Sequence, residues 1–485
     1  MDRADVAALP NRMLIGGRLV AAGDGQRMTT VDPACNRPLA DVPDAGPADI
    51  EAAVEAARQA FPAWSGTPLP ERQQAIRAVA ELLRRESETL GALDSFDTGN
   101  VFSAMRQDSA IAADCVDYLC NLASAVTGTV TQLDRHLHYT KRVPFGVVAR
   151  LLPFNHPAQA LGISLAAPLL AGNCLVVKPS PHSPLSGLWL AERLAGLLPP
   201  GVVNIVTGSN ERASAALIAH PGVSRISVVG SVEAGRLVMR QAAERIVPVS
   251  LELGGKNPLI VLPDADLGKA AKLAMDGMNF RWQSHSCAAT SVIYVPRQRE
   301  KAYVEALAEL AGALRVAPPF DPAAEMGAIS TAALLERTLA YVAEGEREGA
   351  RLVCGGRRLG DPERAAGNFV APALFAGAEP GMRIAREEIF GPVMTVIAYD
   401  DLDDVVEQVN RSPLGLCAVL ATDQLTLTHQ ICDRLAVGYV EVNGPISFAL
   451  GQPYGGFRQS GFGREGSIDE IESYTQLKSV NIRLA

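Results

Sequence analysis

The sequence has few aromatic residues and no long hydrophobic segment. Phe, Tyr and Trp make up 5% of the 485 residues, whereas alanine and glycine are abundant, a composition typical of proteins with helices, sheets and tight turns. No run of 18 apolar residues occurs, so we expect no transmembrane helix. The N-terminal segment MDRADVAALPNRM lacks the apolar core of a secretory signal. Both absences predict a cytoplasmic protein.

Positive charge is also scarce. The chain has 44 Lys and Arg against 53 Asp and Glu, which gives a formal net charge of −9. Nucleic acids and anionic membranes are bound through basic patches. We therefore expect neither kind of partner.

No two cysteines have the C-x-x-C spacing of a zinc ribbon or a thioredoxin-type site. The cysteines are scattered, at Cys35, Cys115, Cys120, Cys174, Cys287, Cys354, Cys417 and Cys432. In a reducing cytoplasm most cysteines are small buried thiols. Any chemistry assigned to one of them must therefore rest on its neighbours.

The centre of the chain alternates short apolar runs with helical patterns. Each run is rich in β-branched residues and bounded by Gly, Pro or Asn; the runs are 145–152, 174–177, 202–206 and 223–229. A strand–helix–strand spacing of about 25–30 residues predicts βαβ units in a parallel sheet. Such a doubly wound domain has a ligand crevice at the carboxyl ends of its strands. At this length the chain should divide into two or three domains.

Helix boundaries and further elements follow from local signals. The helix after the second run is predicted to have Ser183 as its N-cap and Pro184 as its first residue. A second α/β region follows residue 255, with predicted helices at 267–283 and 299–315 and predicted strands at 291–295, 350–354, 393–399 and 438–442.

Two exposed segments near the ends of these regions look like edge strands. Residues 477–484 are predicted to form an isolated strand whose partner is another subunit's sheet, and residues 130–142 a second such strand. The His136-x-His138 pair could bind a metal, but alternation on an exposed strand face accounts for it. We therefore predict no metal site.

Several segments together identify a family. PFNHP at 153–157, LELGGKNP at 251–258, SHSC at 284–287 and EEIFGPV at 387–393 occur with VVKPS at 176–180, GSVEAG at 230–235 and PYGGFRQSGFGRE at 453–465. They resemble the aldehyde dehydrogenase superfamily, in the expected order and over nearly the whole chain.

This resemblance implies an α/β fold with a Rossmann-type dinucleotide-binding domain, an α/β catalytic domain and a small β oligomerisation arm. The implied boundaries are 1–121 and 145–255 for the first domain, 256–455 for the second, and 122–144 with 470–485 for the arm. A homodimer or homotetramer is expected.

Oxidation of an aldehyde to an acid requires a nucleophile to add before hydride can leave. A cysteine thiolate suits this step, because loss of hydride then yields a thioester that water can open. The resemblance makes Cys287, in a loop where it could be partly exposed, the nucleophile. It makes Glu252 the general base that activates water, and the Asn155 amide an oxyanion donor together with the Cys287 N–H.

Two of these residues also have simpler interpretations. Glu252 lies between apolar residues, so its carboxyl is either desolvated, with a raised pKa, or paired with a cation such as Lys256. In isolation Asn155, before His-Pro, would be a turn residue.

The cofactor pattern departs from the usual fingerprint, because no G-x-G-x-x-G follows a strand. The nearest element is Gly230-Ser231-x-x-x-Gly235, before a helix starting near Ser231, and the family binds NAD or NADP with this shorter form. Lys178 resembles the lysine that binds the adenosine ribose and Glu388 the glutamate that binds the nicotinamide ribose. The remaining implied cofactor residues are Phe154, Ser180, Leu253, Gly254 and Phe390.

Three positions differ from many relatives. Pro181 stands where NAD-preferring members have a glutamate, which leaves NADP use open. Ser284-His285 replaces the usual Gly-Gln; His285 either tunes the thiolate or is a polar loop histidine without such a role, the interpretation we favour. Val292 replaces a frequent arginine.

Other side chains have several interpretations. Glu465 belongs either to a proton relay or to a surface ion pair with Arg464 or Arg458. The residues near the family's aldehyde tunnel are His156, Trp282, Phe448 and Tyr454, which predict an apolar wall but no particular substrate.

These residues predict an enzyme that converts an aldehyde to a carboxylic acid with NAD(P)+ through a cysteine thiohemiacetal and thioester. A CoA-acylating relative is the alternative within enzymology, although such enzymes commonly lack the base at the position of Glu252. A catalytically silent structural relative commonly lacks the nucleophile or the base, and a simple esterase would not need Lys178 or Glu388.

Overall fold

The computed structural model describes residues 1–484. Its α-helices are Arg3–Ala7, Pro47–Gly66, Leu69–Arg85, Ser87–Thr98, Phe102–Leu122, Pro157–Leu170, Leu185–Leu194, Ala215–Ala219, Val232–Ala243, Leu267–Gly277, Glu300–Ala313, Ala332–Arg347, Arg383–Arg386, Leu402–Arg411, Leu425–Arg434 and Ile468–Ser473. Among the described helices, none combines the length and the apolar character needed to cross a membrane.

An eight-stranded sheet forms the first α/β unit. Its strands, in spatial order, are Arg18–Val20, Met13–Ile15, Val203–Ile205, Cys174–Lys178, Val147–Leu151, Arg225–Val229, Val249–Glu252 and Gly461–Phe462. The five strands from Val203–Ile205 to Val249–Glu252 are parallel, and each edge is closed by antiparallel pairing. All five residues of Cys174–Lys178 are buried, as expected for a central strand covered on both faces. The four predicted apolar runs are thus confirmed as strands of one parallel sheet.

A seven-stranded sheet forms the second unit. Its strands, in spatial order, are Arg351–Cys354, Ala373–Ala376, Val393–Tyr399, Val292–Pro296, Pro258–Val261, Cys417–Ala421 and Tyr439–Val442. Only Arg351–Cys354 is antiparallel to its neighbour. The predicted strands at 291–295, 350–354, 393–399 and 438–442 all occur, with ends within one residue.

Smaller sheets complete the strand set. Arg27–Asp32 pairs with Arg37–Pro43, and Leu414–Gly415 with Phe457–Arg458. A three-stranded sheet has the order Thr475–Arg483, His136–Pro144, Val130–Leu133.

The prediction of an isolated terminal strand is wrong. Thr475–Arg483 pairs antiparallel with His136–Pro144 of the same chain along its whole length. Residues 130–142 are not one strand either, since Asp134 has a φ of 51° and turns the chain into a hairpin. The outer edge of the terminal strand remains free within residues 1–484.

The predicted helix at 267–283 is too long. The α-helix ends at Gly277, and a short 3-10 helix covers Phe280–Trp282. Three residues after Gly277 have a positive φ, namely Asn279, Gln283 and Ser284, at 54°, 50° and 60°. Since left-handed residues cannot continue an α-helix, the chain turns here into the loop that carries Cys287. The helix predicted at 299–315 runs over Glu300–Ala313.

The predicted cap at Ser183 is also wrong. The helix begins at Leu185, with Pro184 as its N-cap residue. The Leu185 N–H is capped from a distant element, because it donates to Oδ2 of Asp97 at 2.9 Å. The Ser183 hydroxyl instead donates to the Phe154 carbonyl at 2.9 Å.

Candidate active site

A cavity of about 370 Å³ lies where strand ends of the first sheet face loops of the second. It is lined by the predicted residues Phe154, Asn155, Lys178, Ser180, Gly230, Ser231, Glu252, Gly254, Cys287, Glu388 and Phe390. Lys178 and Glu252 end their parallel strands, so the cavity lies at carboxyl ends as predicted. Cys287 and Glu388 belong to loops that precede strands of the second sheet.

Two predicted cofactor residues do not line this cavity. Gly235 belongs to the helix Val232–Ala243, and a Cβ there would lie 2.5 Å from Cδ1 of Leu253. Leu253 itself is buried. Gly235 and Leu253 therefore belong to the packing of the helix Val232–Ala243 against the strand Val249–Glu252 and not to the cavity wall.

The cavity has groups that fit a dinucleotide. Ser231 is the N-cap of the helix Val232–Ala243, and its side chain accepts the Ala234 N–H at 3.1 Å. The positive end of a helix at a cavity wall favours phosphate. Lys178 donates to Oδ1 of Asn210 at 3.3 Å, and burial lowers its pKa to about 8. A neutral amide is its only acceptor within the described residues, so it remains available to a sugar hydroxyl.

Glu388 is held against the LELGG turn. Its Oε1 accepts the Gly255 N–H at 3.1 Å, and a Cβ on Gly254 would lie 1.9 Å from its Oε2. Glycine at position 254 is thus required for this close approach. Burial raises the pKa of Glu388 to about 7. A partly desolvated carboxyl at this position is a suitable acceptor for ribose hydroxyls, so the residues present fit NAD or NADP.

Cys287 is half-buried and lines the cavity. It lies in the loop whose direction is set by the left-handed residues Asn279, Gln283 and Ser284. Nδ2 of Asn257 donates to its carbonyl oxygen at 2.7 Å and to that of Ala289 at 3.1 Å. The Cys287 N–H has no acceptor within residues 1–484 and stays available for an oxyanion. Burial raises the pKa of its thiol to about 12, which means that ionisation needs help from bound groups.

Glu252 carries an unpaired carboxyl. Neither of its oxygens has a hydrogen-bond partner among the described residues, and burial raises its pKa well above the ordinary value. The alternative ion pair with Lys256 does not form, because the Lys256 ammonium is itself unpartnered in that part of the chain. The desolvated interpretation of Glu252 is therefore confirmed.

Glu465 pairs with a different arginine from those predicted. Nη2 of Arg150 lies 3.4 Å from its Oε1, whereas Arg464 donates to backbone carbonyls. Arg150 is a buried charge in a strand and also donates to Oγ of Ser227 at 2.7 Å and to the Tyr474 hydroxyl. The ion pair of Glu465 is thus partly buried and involves neither Arg464 nor Arg458.

The Asn155 side chain is held in position by the loop that carries Cys287. Its Nδ2 donates to the His285 carbonyl at 2.7 Å, and its own backbone carbonyl accepts from Nδ2 of Asn100 at 2.8 Å. An amide nitrogen has two protons, so one remains free to serve as an oxyanion donor.

His285 is not the polar loop histidine that we expected. It is fully buried, and its ring stacks on Phe390 with centroids 5.6 Å apart and 5° between the planes. Burial lowers its pKa to about 3, so the imidazole is neutral. It therefore supplies no positive charge to Cys287, as in the favoured interpretation, which was wrong only in expecting a polar surrounding.

The four predicted tunnel residues form two pairs. The His156 and Trp282 rings are 5.2 Å apart, and the Phe448 and Tyr454 rings are 5.8 Å apart. The first pair is tied to Oδ2 of buried Asp108, which lies 2.8 Å from His156 Nδ1 and 3.3 Å from Trp282 Nε1. The Tyr454 hydroxyl lies 3.7 Å from the Cys287 sulfur. None of these four residues lines the cavity of about 370 Å³.

Sequence reasoning missed three residues of the site. Asp108 is a carboxylate on the apolar face of the helix Phe102–Leu122. A charged residue in an apolar helical pattern can be recognised from the sequence. Arg150 is a charged residue within an apolar strand, and such a residue can also be recognised from the sequence. Cys417, whose Sγ lies 3.5 Å from the Tyr454 hydroxyl, gave no signal, since it resembles any buried thiol. Within residues 1–484 no cluster of His, Cys, Asp or Glu could hold a metal.

Comparisons with known proteins agree with this geometry. The family model described as "Aldehyde dehydrogenase family" matches residues 20–480. Aldehyde dehydrogenase tropH of Talaromyces stipitatus is 39% identical over 469 residues, which cover 94% of this chain and 90% of that protein.

Solved structures are also similar. An NAD+ complex of aldehyde dehydrogenase from Bacillus cereus has a TM-score of 0.96 at 33% identity and covers 99% of this chain and 98% of its own. The indole-3-acetaldehyde dehydrogenase AldA of P. syringae, in complex with NAD+ and IAA, has a TM-score of 0.95 at 33% identity and covers 100% of both chains.

The chain therefore belongs to the aldehyde dehydrogenase family. It is an enzyme that oxidises an aldehyde to a carboxylic acid with NAD or NADP as its cofactor. The expected fold is confirmed.

Proposed function

We propose that Cys287 is the nucleophile, Asn155 an oxyanion donor and Glu252 the general base of this oxidation. The observation that carries this proposal is that one cavity encloses all three side chains together with Glu388. The chain thus has every group that hydrolytic aldehyde oxidation needs.

The first step is addition of the Cys287 sulfur to the carbonyl carbon, which converts a planar carbon to a tetrahedral one. The Asn155 amide and the Cys287 N–H donate to the resulting oxygen, and removing one such donor typically slows catalysis by about 10²–10³-fold. The dinucleotide, when bound, supplies the acceptor for the departing hydride. What remains on Cys287 is a thioester.

The second step is hydrolysis. Glu252 takes a proton from water, and the resulting hydroxide opens the thioester to release the acid and the Cys287 sulfur. The unpaired carboxyl supports this role, because neither of its oxygens accepts a hydrogen bond within the described residues. The presence of this base also favours hydrolysis over transfer to CoA.

We further propose that the cofactor is bound at the groups that fit it. The helix N-terminus formed by Gly230 and Ser231 would hold the pyrophosphate, and Lys178 and Glu388 would hold the two riboses. Ser180 and Pro181 line the same cavity, and neither presents a carboxylate to a 2′-phosphate. This supports acceptance of NADP as well as NAD.

The substrate is proposed to meet the wall formed by His156, Trp282, Phe448 and Tyr454. The two pairs of rings support a medium-sized or aromatic aldehyde, and the Asp108-bound His156 supplies a polar contact for a substituent. A panel of aliphatic, aromatic and aminated aldehydes with each cofactor, followed at 340 nm, identifies the class.

The domain boundaries and the assembly belong to the same proposal. We assign 1–121 and 145–255 to cofactor binding, 256–455 to catalysis, and 122–144 with 470–485 to oligomerisation. The free edge of Thr475–Arg483, with exposed Leu477 and Ile482, supports a homodimer or homotetramer. Eight free cysteines support a reducing, cytoplasmic location.

The nucleophile assignment is tested by Cys287→Ser. We expect loss of the aldehyde-dependent rise in NAD(P)H absorbance, because a neutral hydroxyl is a far weaker nucleophile than a thiolate. Cys432→Ser is the matched control, since Cys432 is also half-buried but lies outside the cavity. Full activity in Cys287→Ser would reject the assignment.

A further inference from the structure

Cys287 has an environment that opposes its ionisation. The titratable groups facing it are Tyr454, Cys417 and the carboxyls of Glu252, Glu388 and Glu465. The three carboxyls disfavour a thiolate wherever they are ionised. His285 is neutral, and no cation lies within hydrogen-bonding distance of the sulfur among the described residues. A thiolate here needs a hydrogen-bond donor.

One side chain reaches the sulfur. The Tyr454 hydroxyl lies 3.7 Å from Cys287 Sγ, a normal separation for a hydrogen bond to sulfur. Its backbone is fixed by paired hydrogen bonds with Glu465, of 3.0 and 2.8 Å. Its ring packs between Phe448 and Tyr439, each with its centroid 5.8 Å away. The hydroxyl is therefore held at the nucleophile by backbone and packing.

A second thiol lies on the other side of the same hydroxyl. Cys417 is buried at the start of its strand, and its Sγ donates to the Tyr454 oxygen at 3.5 Å. The Asn257 amide connects both cysteines, because its Oδ1 accepts the Cys417 N–H at 3.0 Å while its Nδ2 donates to the Cys287 carbonyl at 2.7 Å. One rigid amide thus fixes both cysteine backbones around the tyrosine.

We propose that the Cys417 thiol and the Tyr454 hydroxyl form a hydrogen-bond relay that stabilises the Cys287 thiolate. Tyr454 is a catalytic residue in this relay, since it touches the reacting sulfur, and Cys417 is a positioning residue that acts through it. The relay rests on the proposed role of Cys287 as nucleophile.

The direction of the relay follows from counting protons. A tyrosine hydroxyl has one proton, and a thiolate can only accept. Since Cys417 donates to the Tyr454 oxygen, the Tyr454 proton is directed to Cys287. Burial raises the pKa of both Cys417 and Tyr454 well above their ordinary values, so both stay protonated as donors. On ionisation Cys287 gives its proton to water, and Tyr454 keeps its own.

The test measures the alkylation of Cys287 by iodoacetamide between pH 7 and 9, without aldehyde or cofactor, by peptide mass spectrometry. A hydrogen bond to a charged group shifts a thiol pKa by about 1–2 units. A more basic thiolate is also more nucleophilic, which offsets about half of the effect. Tyr454→Phe should therefore alkylate Cys287 about 3- to 15-fold more slowly at each pH.

Two further variants test the second donor. Cys417→Ala should slow alkylation less than Tyr454→Phe does, and Cys417→Ser should restore the wild-type rate, because a serine hydroxyl can also donate to Tyr454. Tyr439→Phe is the matched control, since it removes a neighbouring hydroxyl that does not touch Cys287. The alkylation rate of Cys432 in each variant reports whether the chain is folded.

An unchanged rate in folded Tyr454→Phe would overturn the relay. A slower rate in Tyr454→Phe with no change in Cys417→Ala would overturn the role of Cys417. Alkylation requires no turnover, so these outcomes are independent of whether Cys287 is ever acylated. A failure of the proposed function would be seen separately, in the aldehyde-dependent rise of NAD(P)H absorbance.

Discussion

Glu252 lies where burial raises the pKa of its carboxyl well above the ordinary value. The same burial raises the pKa of the Cys287 thiol to about 12. In the proposed mechanism both residues must lose a proton to act, so the site favours the resting, protonated forms of the proposed nucleophile and base. Perturbed pKa values of this kind are concentrated at functional sites.

Replacing Glu252 should separate the two chemical steps. Glu252→Gln retains the nucleophile, so we expect a single burst of NAD(P)H per active site followed by turnover about 10²–10⁴-fold slower. Stopped-flow absorbance at 340 nm measures both phases, with the exposed Glu192→Gln as control. Undiminished steady turnover in Glu252→Gln would remove Glu252 from the mechanism.

The pH dependence of deacylation follows from the same residue. A general base acts in its deprotonated form, and the deprotonated fraction of Glu252 rises with pH through a range well above that of an ordinary glutamate. Thioester hydrolysis in the wild type should therefore speed up as pH rises through a range above that in which an ordinary glutamate titrates. A rate that is already maximal at pH 5 would contradict a raised pKa.

Cofactor choice is also decided by single residues. A carboxylate at position 181 should repel a 2′-phosphate, so we expect Pro181→Glu to lower kcat/KM for NADP at least tenfold while NAD is little affected. Pro181→Gln is the uncharged control. Equal losses with both cofactors would show that position 181 does not face the adenosine ribose.

The residue types of the site were predictable, but their contacts were not. The motifs predicted Cys287, Glu252 and Glu388 through their resemblance to the aldehyde dehydrogenase family, and all three side chains line one cavity. The partner of Glu465 was missed, since Arg150 is far away in sequence and meets it only across the folded sheet. His285 was misjudged for the same reason: its burial comes from Phe390, a residue of a distant loop.

At the level of elements, the strands of the first sheet were predictable because each is a short apolar run between turn residues. The ends of the helices were less predictable than the strands. The loop after Gly277 depends on left-handed residues that are not glycines, and the helix Leu185–Leu194 is capped by a residue 88 positions earlier. Local signals cannot report a cap supplied by another helix.

This distant cap makes a stability prediction. Asp97→Ala leaves the Leu185 N–H without its acceptor in a buried place, which should lower the free energy of unfolding by about 1–3 kcal/mol. Asp97→Asn keeps an acceptor oxygen and should lose less. Urea unfolding followed by circular dichroism compares the variants, and equal stability of Asp97→Ala and wild type would contradict the cap.

At the scale of the whole molecule, two α/β units and a three-stranded sheet share one chain. The active-site cavity lies between the strand ends of the first sheet and the loops of the second, so catalysis needs both units in place. The three-stranded sheet is the least buried part, with Val130, Leu133 and Leu477 each at least 60% exposed. Such an apolar surface beside a free strand edge is typical of a subunit interface.

Assembly can be measured directly. Light scattering coupled to size exclusion should give two or four times the 51.2 kDa chain mass. Removing residues 477–485 should reduce that mass, because it deletes the exposed edge strand. A wild-type mass of one chain would contradict the proposed interface.

The central claim is that the Cys287 sulfur becomes acylated during turnover, and intact-mass and peptide mass spectrometry of quenched enzyme test it most directly. In Glu252→Gln mixed with aldehyde and cofactor, where hydrolysis is slow, we expect an adduct equal to the aldehyde mass less two hydrogen atoms, mapped to Cys287. An adduct on any other side chain, or none with any aldehyde that the enzyme oxidises, would contradict the account.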